Sequence, residues 1–234
     1  MNALTLFYAP GACSRVPLNA LEELQLPFEE RPLALMRGEQ KKPEYLAINP
    51  KGKVPALQVG QRILTENPAI LFYLATQYPE GQLLPNLDEP EGRMQALGDL
   101  VWCGSALHPL VRQILLPQLF TSGDTEPVKE FALQAFRPVV DQISSRLSNA
   151  PWWYGDRWSI VDVYLCWLMG IATLGGAPGV DHLAITEHIG RVRARPSFVR
   201  ALAREKAAVE RCNIPLPPGE AVSPRRRRPG RLSH

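Results

Sequence analysis

The chain opens with a short apolar run. Leu4-Thr5-Leu6-Phe7-Tyr8 predicts a β-strand, and Pro10-Gly11-Ala12 then turns the chain. From Ser14 onward, Val16, Ala20, Leu21 and Leu24 recur along one face of a 3.6-residue period. That spacing predicts a helix, stopped at Leu26-Pro27. A second strand is predicted over 28–33, a polar loop over 37–42 and a single helical turn over 43–47. Residues 54–59 and 62–64 read as a hairpin about Gly60-Gln61. In Thr65-Glu66-Asn67-Pro68, asparagine is a preferred helix cap and proline a preferred first helical residue. The helix that follows is predicted to turn Ala69, Ile70, Tyr73 and Leu74 inward.

Beyond this point the strand pattern disappears. Residues 79–91 contain Pro79, Pro85 and Pro90, and the linker is drawn at 81–91. Apolar periodicity then predicts helices over 94–120, 128–147, 159–173 and 197–209. The predicted plan is an α/β domain over 1–80, an all-α domain over 92–212 and a basic, disordered tail over 213–234.

Composition changes little in that picture. Hydrophobic residues make up 45% and charged residues 21% of 234, which fits a globular chain and excludes a mostly disordered one. No window approaches 18 uninterrupted apolar residues, so no membrane span is expected. Met1-Asn2-Ala3-Leu4 has no basic lead into an apolar run, so no secretory signal is expected. Cys13, Cys103, Cys166 and Cys212 form no C-x-x-C pair. Neither a disulfide framework nor a metal site is expected, and the reading is a cytoplasmic protein with reduced thiols. The last 22 residues hold five of the 26 basic and one of the 23 acidic residues, which leaves 21 basic and 22 acidic residues in the body. A near-neutral body is not a nucleic-acid footprint, and the arginine run of the tail reads as a solvated extension.

Four places carry candidate chemistry. Cys13 sits between a strand end and a helix start, where free N–H groups and the helix dipole stabilise a thiolate. A depressed pKa is the expectation, with Arg15 adding to it; a small buried hydrophobe is the equal alternative. In Lys53-Val54-Pro55 a cis peptide would aim the Val54 backbone outward, against the ordinary reading of a trans proline on an edge strand. Glu66 and Asn67 suit an α-amino acid end, carboxylate on the cap and amine on the glutamate, or form only a capped helix. His108 lies in a helix just before Pro109, where a structural or solvated histidine is the ordinary reading. Ser159-Ile160-Val161-Asp162 reads as a capping box with a folding role.

In order, the motifs are P-G-A-C-S, N-P-K-G-K-V-P-A-L, L-T-E-N-P-A-I-L-F-Y-L, A-L-H at 106–108 and S-I-V-D. Together they resemble the cytosolic glutathione transferases, and the P-G-A-C-S turn resembles the bacterial beta class. The resemblance implies a thioredoxin-like N-terminal domain, an all-α C-terminal domain, glutathione as co-substrate and a two-fold homodimer. It implies Cys13 facing the glutathione sulfur, Val54 and cis-Pro55 pairing with its cysteinyl backbone, and Lys53 beside them. It places Glu66 and Asn67 at the γ-glutamyl end, and His108 reaching in from the helical domain. Ser14 is a second sulfur partner, because several classes use a serine hydroxyl near this turn. A small apolar electrophile would bind near Trp102, Leu107 and Val111, in a detoxification role. The chain departs from the beta-class pattern at Arg15, Lys53, Asn67, Val101 and Pro109. The alternatives are a glutathione-dependent isomerase or reductive enzyme of the same fold, and a non-catalytic relative that binds partners.

Overall fold

The computed structural model of the chain describes residues 3–215. Strand β1 (Leu4–Tyr8) runs into a turn and helix α1 (Arg15–Glu23). Strand β2 (Glu29–Pro32) follows, parallel to β1, with Thr5 opposite Glu29. A short helix α2 (Pro43–Leu46) precedes the hairpin of β3 (Ala56–Val59) and β4 (Arg62–Thr65), which turns at Gly60. The strand order is β2-β1-β3-β4, with β3 antiparallel to β1. Helix α3 (Asn67–Gln77) completes this part. Leu6, Leu57, Val16, Leu21, Ile70 and Leu74 pack into its core, which removes their apolar surface from water.

On α3 the buried face is Ile70, Leu71, Leu74 and Ala75. Ala69 is exposed and Tyr73 only half-buried, so the predicted inward set is one position out of phase. Leu71 and Ala75 complete the i, i+1, i+4, i+5 stripe that meets α1 and the sheet.

The remainder is helical: α4 (Pro90–Val101), a π-helical turn (Trp102–Leu107), α5 (His108–Leu115), α6 (Glu126–Asn149), α7 (Ile160–Leu174), α8 (Leu183–Arg193) and α9 (Pro196–Cys212). The helix predicted over 94–120 is thus interrupted by a wide turn and ends at Leu115. Helix α8 was not predicted; Arg, Glu and His interleave its buried Ala184, Ile185, His188 and Val192 and blur the stripe. Helix α7 is buried from Ile160 to Met169 and forms the axis of this half.

Asp162 organises the start of α7. Its carboxylate accepts from the backbone N–H of Ser159 at 2.8 Å, that of Trp153 at 2.7 Å and His188 Nε2 at 2.8 Å. The capping box is present as expected, with two further partners that no local pattern encodes.

The two halves meet along α1 and α9 through charges: Glu22 with Arg200 and Arg204, Glu23 with Arg195, and Arg15 with Glu205. They also meet where the π-helical turn crosses α3. A Cβ on Gly104 would lie 2.7 Å from Pro68 Cγ, so only glycine allows that approach.

The predicted tail over 213–234 starts too early. The Asn213 carbonyl accepts from Arg37, and Ile214 is buried. The arginine run at 225–231 lies outside the described residues. Among the described residues, no helix is long and apolar enough to cross a membrane.

Candidate functional site

Cys13 ends the turn between β1 and α1. Gly11 in that turn has φ +80°, a left-handed conformation that glycine adopts at low cost. Ser14 closes the turn: its hydroxyl donates to the Ala9 carbonyl at 3.1 Å and accepts from the Ala9 N–H at 3.0 Å. Ser14 is fully buried with both functions engaged. This geometry corrects the reading of Ser14 as a sulfur partner: its hydroxyl is committed to the backbone of its own loop.

The Cys13 thiol donates to the Val54 carbonyl at 3.6 Å. Burial pushes its pKa up to about 12, against the lowering charge of Arg112. The expected depression is therefore overturned. The nine-residue helix α1 does lie behind the thiol, but desolvation of a thiolate outweighs the dipole. The Nε and Nη2 of Arg15, which was expected to add to the depression, donate to the buried Glu205 at 2.9 and 2.6 Å. The leading charge on Cys13 is that of Arg112, one helical turn after His108.

The Val54–Pro55 peptide is cis. The residue before it, Lys53, is held by its carbonyl, which accepts from Tyr45 Oη and Asn49 Nδ2, both at 2.7 Å.

Glu66 has φ +72° and ψ 127°, a conformation that a side chain resists. It precedes α3 as the capping residue, so the cap is Glu66 and not Asn67. The displacement has a clear consequence. Asn67 is buried as the first helical residue, and its Nδ2 donates to the Cys13 carbonyl at 3.0 Å. Its Oδ1 is buried without a hydrogen-bond partner. The Glu66 carboxylate faces outward and receives the Lys51 ammonium at 2.7 Å. An ammonium already sits where an amino-acid amine was expected.

His108 comes to this cluster from α5. Its ring meets the ring of Trp167 edge-on, with centroids 4.8 Å apart. Burial and the charges of Arg112 and Lys53 lower its pKa to about 4, against a raising effect of Glu66, so the imidazole is neutral at pH 7. Leu107 and Val111, expected to line an electrophile pocket, are instead core residues. Val111 faces inward because α5 packs on α6 and α7, and Leu107 because the π-helical turn before α5 packs on α7. Trp102 is half-buried and stacks on Trp153 with centroids 5.6 Å apart.

The structure thus brings Cys13, Val54, Glu66, Asn67 and His108 to one seam between the halves, with Lys53 at its edge. Arg112, Trp167 and Glu205 belong to the same seam and were missed. Arg112 could have been found from its four-residue spacing after His108, which puts both on one helix face. Trp167 is hidden in the apolar run of α7, and Glu205 is one charge among many on α9. No group of three or more His, Cys, Asp or Glu side chains is placed to hold a metal among the described residues.

Comparison with known proteins shows the family. Residues 2–76 match the family model of the glutathione S-transferase N-terminal domain. The chain is 34% identical to a maleylacetoacetate isomerase of Pseudomonas aeruginosa over 166 residues, 69% of this chain and 77% of that protein. It is 30% identical to a glutathione S-transferase of Escherichia coli O157:H7 over 206 residues, 86% of this chain and 98% of that protein. Among solved structures, a beta-class glutathione S-transferase of Sphingomonas chungbukensis superposes with a TM-score of 0.75 at 32% identity, covering 86% of this chain and 98% of that one. A glutathione transferase homologue from Sulfitobacter, solved with bound glutathione, superposes with a TM-score of 0.77 at 28% identity, covering 88% and 99%. With the thioredoxin-like sheet and the helical half both present, the chain belongs to the glutathione S-transferase family.

Proposed function

We propose that Cys13 works in this enzyme as a neutral thiol donor that keeps negative charge on the sulfur of bound glutathione. The observation that carries this is the buried Cys13 thiol, hydrogen-bonded to Val54 and raised to about 12. In this reading the buried Cys13 keeps its proton and the glutathione sulfur carries the charge. The Cys13 S–H would then turn from the Val54 carbonyl to that thiolate, while Arg112 and Lys53 add positive potential. Glu66 would take the α-ammonium in place of Lys51, and Asn67 would lie beside the same end. Val54 would pair with the cysteinyl backbone. His108, neutral, would act as a hydrogen-bond donor or acceptor and not as a cation.

The reaction is nucleophilic. The glutathione sulfur forms a bond to an electrophilic carbon, and either a leaving group departs with the electron pair or, on an activated alkene, the π pair moves toward the electron-withdrawing group and the neighbouring carbon takes up a proton. The test is a panel of activated aryl halides and alkenes run with glutathione on wild type, Cys13→Ala and Ser14→Ala. The Cys13 variant should lose turnover while keeping glutathione affinity. Ser14→Ala should lose stability because the turn opens. Unchanged turnover in Cys13→Ala would refute the donor role.

A second reading is a glutathione-dependent isomerase, favoured by the similarity to the Pseudomonas aeruginosa isomerase. Isomerised alkene with glutathione recovered, in the same panel, would establish it. The exposed stripe of Met94, Leu97 and Val101 on α4 supports a homodimer, which light scattering would detect. Four free cysteines among the described residues support a reducing, cytoplasmic setting.

A further inference from the structure

The turn that carries Cys13 is gripped from two sides by the helical half. The Gly11 N–H donates to Glu205 Oε1 at 3.2 Å, and the Gly11 carbonyl accepts from Trp167 Nε1 at 2.9 Å. Both partners are more than 150 residues away in sequence, on α9 and α7. The other oxygen of Glu205 receives Arg15, two residues after Cys13. One buried carboxylate therefore holds the chain on both sides of the cysteine. The ring of Trp167 also meets His108, so the same indole touches the turn with its N–H and the histidine with its face or edge.

Closure of the turn does not require this grip, because Ser14 already ties both backbone groups of Ala9. Glu205 is 0% exposed, and taking a carboxylate out of water is costly unless partners compensate it. Here the compensating partners are the backbone of the cysteine turn and the residue that opens α1. The α9–α1 contact elsewhere uses charges nearer the surface, such as Arg200 and Arg204 on Glu22. Only Glu205 reaches the turn itself among the carboxylates of α9 described.

We propose that Glu205 and Trp167 are positioning residues for Cys13: they fix the Gly11 peptide from opposite sides and so set the place of the thiol relative to Val54 and His108. The assignment rests on the reading of Cys13 as the group facing the reacting sulfur. A displacement of about 1 Å at a reacting group can cost on the order of a hundredfold in rate. The helical half thereby takes part in the chemistry without contacting the sulfur through these two residues.

Trp167→Phe keeps an aromatic ring beside His108 but removes the N–H together with part of the indole, a size change that Trp152→Phe repeats away from the turn. Glu205→Gln keeps an acceptor oxygen for Gly11, whereas Glu205→Ala removes it. Two rates are measured on the full chain: glutathione conjugation, and alkylation of Cys13 by iodoacetamide against pH, with the modified residue identified by mass spectrometry. Calorimetric glutathione affinity and the melting temperature accompany them. Trp167→Phe should lower kcat by about fivefold or more and change the alkylation profile, with glutathione affinity held within about twofold. Glu205→Gln should retain more of both rates than Glu205→Ala. Trp152→Phe, whose ring lies against His188, should leave both rates as in wild type. Unchanged alkylation profiles in Trp167→Phe and Glu205→Gln would overturn the proposal. So would a kcat loss fully accounted for by weaker glutathione binding. Alkylation needs no glutathione, so a wild type without conjugating activity would sink the functional reading while the positioning role is still decided.

Discussion

The two halves of the molecule supply the site in different currencies. The sheet-bearing half contributes mainly backbone: the Gly11 peptide, the Cys13 carbonyl under Asn67, the Val54 carbonyl under the thiol and the strained Glu66. The helical half contributes side chains projected from rigid rods: His108 and Arg112 from α5, Trp167 from α7 and Glu205 from α9. Backbone groups are placed by the turn that holds them. Side chains from a helix depend on the packing of the whole helix. Under the proposed function, the sheet half would recognise a peptide-like ligand and the helical half would adjust charge and position around its sulfur.

The comparison can be broken hardest at Asp162. Asp162→Ala leaves the Trp153 and Ser159 N–H groups and His188 without their acceptor in the core of the helical half. Removing one partner from such a buried cluster costs about 3–5 kcal/mol, and urea unfolding should show a loss of that size. If the halves are as distinct as described, glutathione affinity measured well below the midpoint should survive.

His108 gives a smaller effect that depends on pH. Its folded pKa, about 4, lies below the unfolded value, so between about 6.5 and 4 the unfolded chain binds the proton more readily. Stability is thus full above about 6.5 and declines as the pH falls toward 4. Replacement by Gln should flatten this part of the curve by on the order of 1–3 kcal/mol in denaturant titrations at several pH values. Equal slopes in both proteins would show that other groups govern acid sensitivity.

Lys51→Ala tests the smallest term. The Lys51–Glu66 pair is exposed at both ends, and such pairs contribute about 0–1 kcal/mol to stability. Melting should hardly change. Glutathione affinity should hold or improve, because the γ-glutamyl ammonium no longer competes with Lys51 for Glu66. A clear loss of affinity would mean that Lys51 helps to hold the ligand.

Local signals in the sequence determined the frame of the sheet half. The run 4–8, the Pro10-Gly11-Ala12 turn, the hairpin at Gly60 and the proline at the start of α3 all act through neighbouring residues, and all appear where their chemistry places them. That Cys13 lies between β1 and α1 and that Glu66 directly precedes α3 was legible for the same reason. Tertiary structure alone decided the chemical state of the site. Whether Cys13 is a thiolate depends on what excludes water from it, and that is set by the helices packed over it. Whether Ser14 is free depends on the path of the loop. Arg15 was assigned to the sulfur because it is adjacent in sequence, yet Glu205, 190 residues later, is its partner. Leu107 and Val111 could not be sorted into pocket or core by periodicity, since Leu107 adjoins and Val111 shares the helix that carries His108 and Arg112. Sequence spacing fixes which residues share a face; only the packed partner fixes what that face meets, because desolvation and charge pairing act through space and not along the chain.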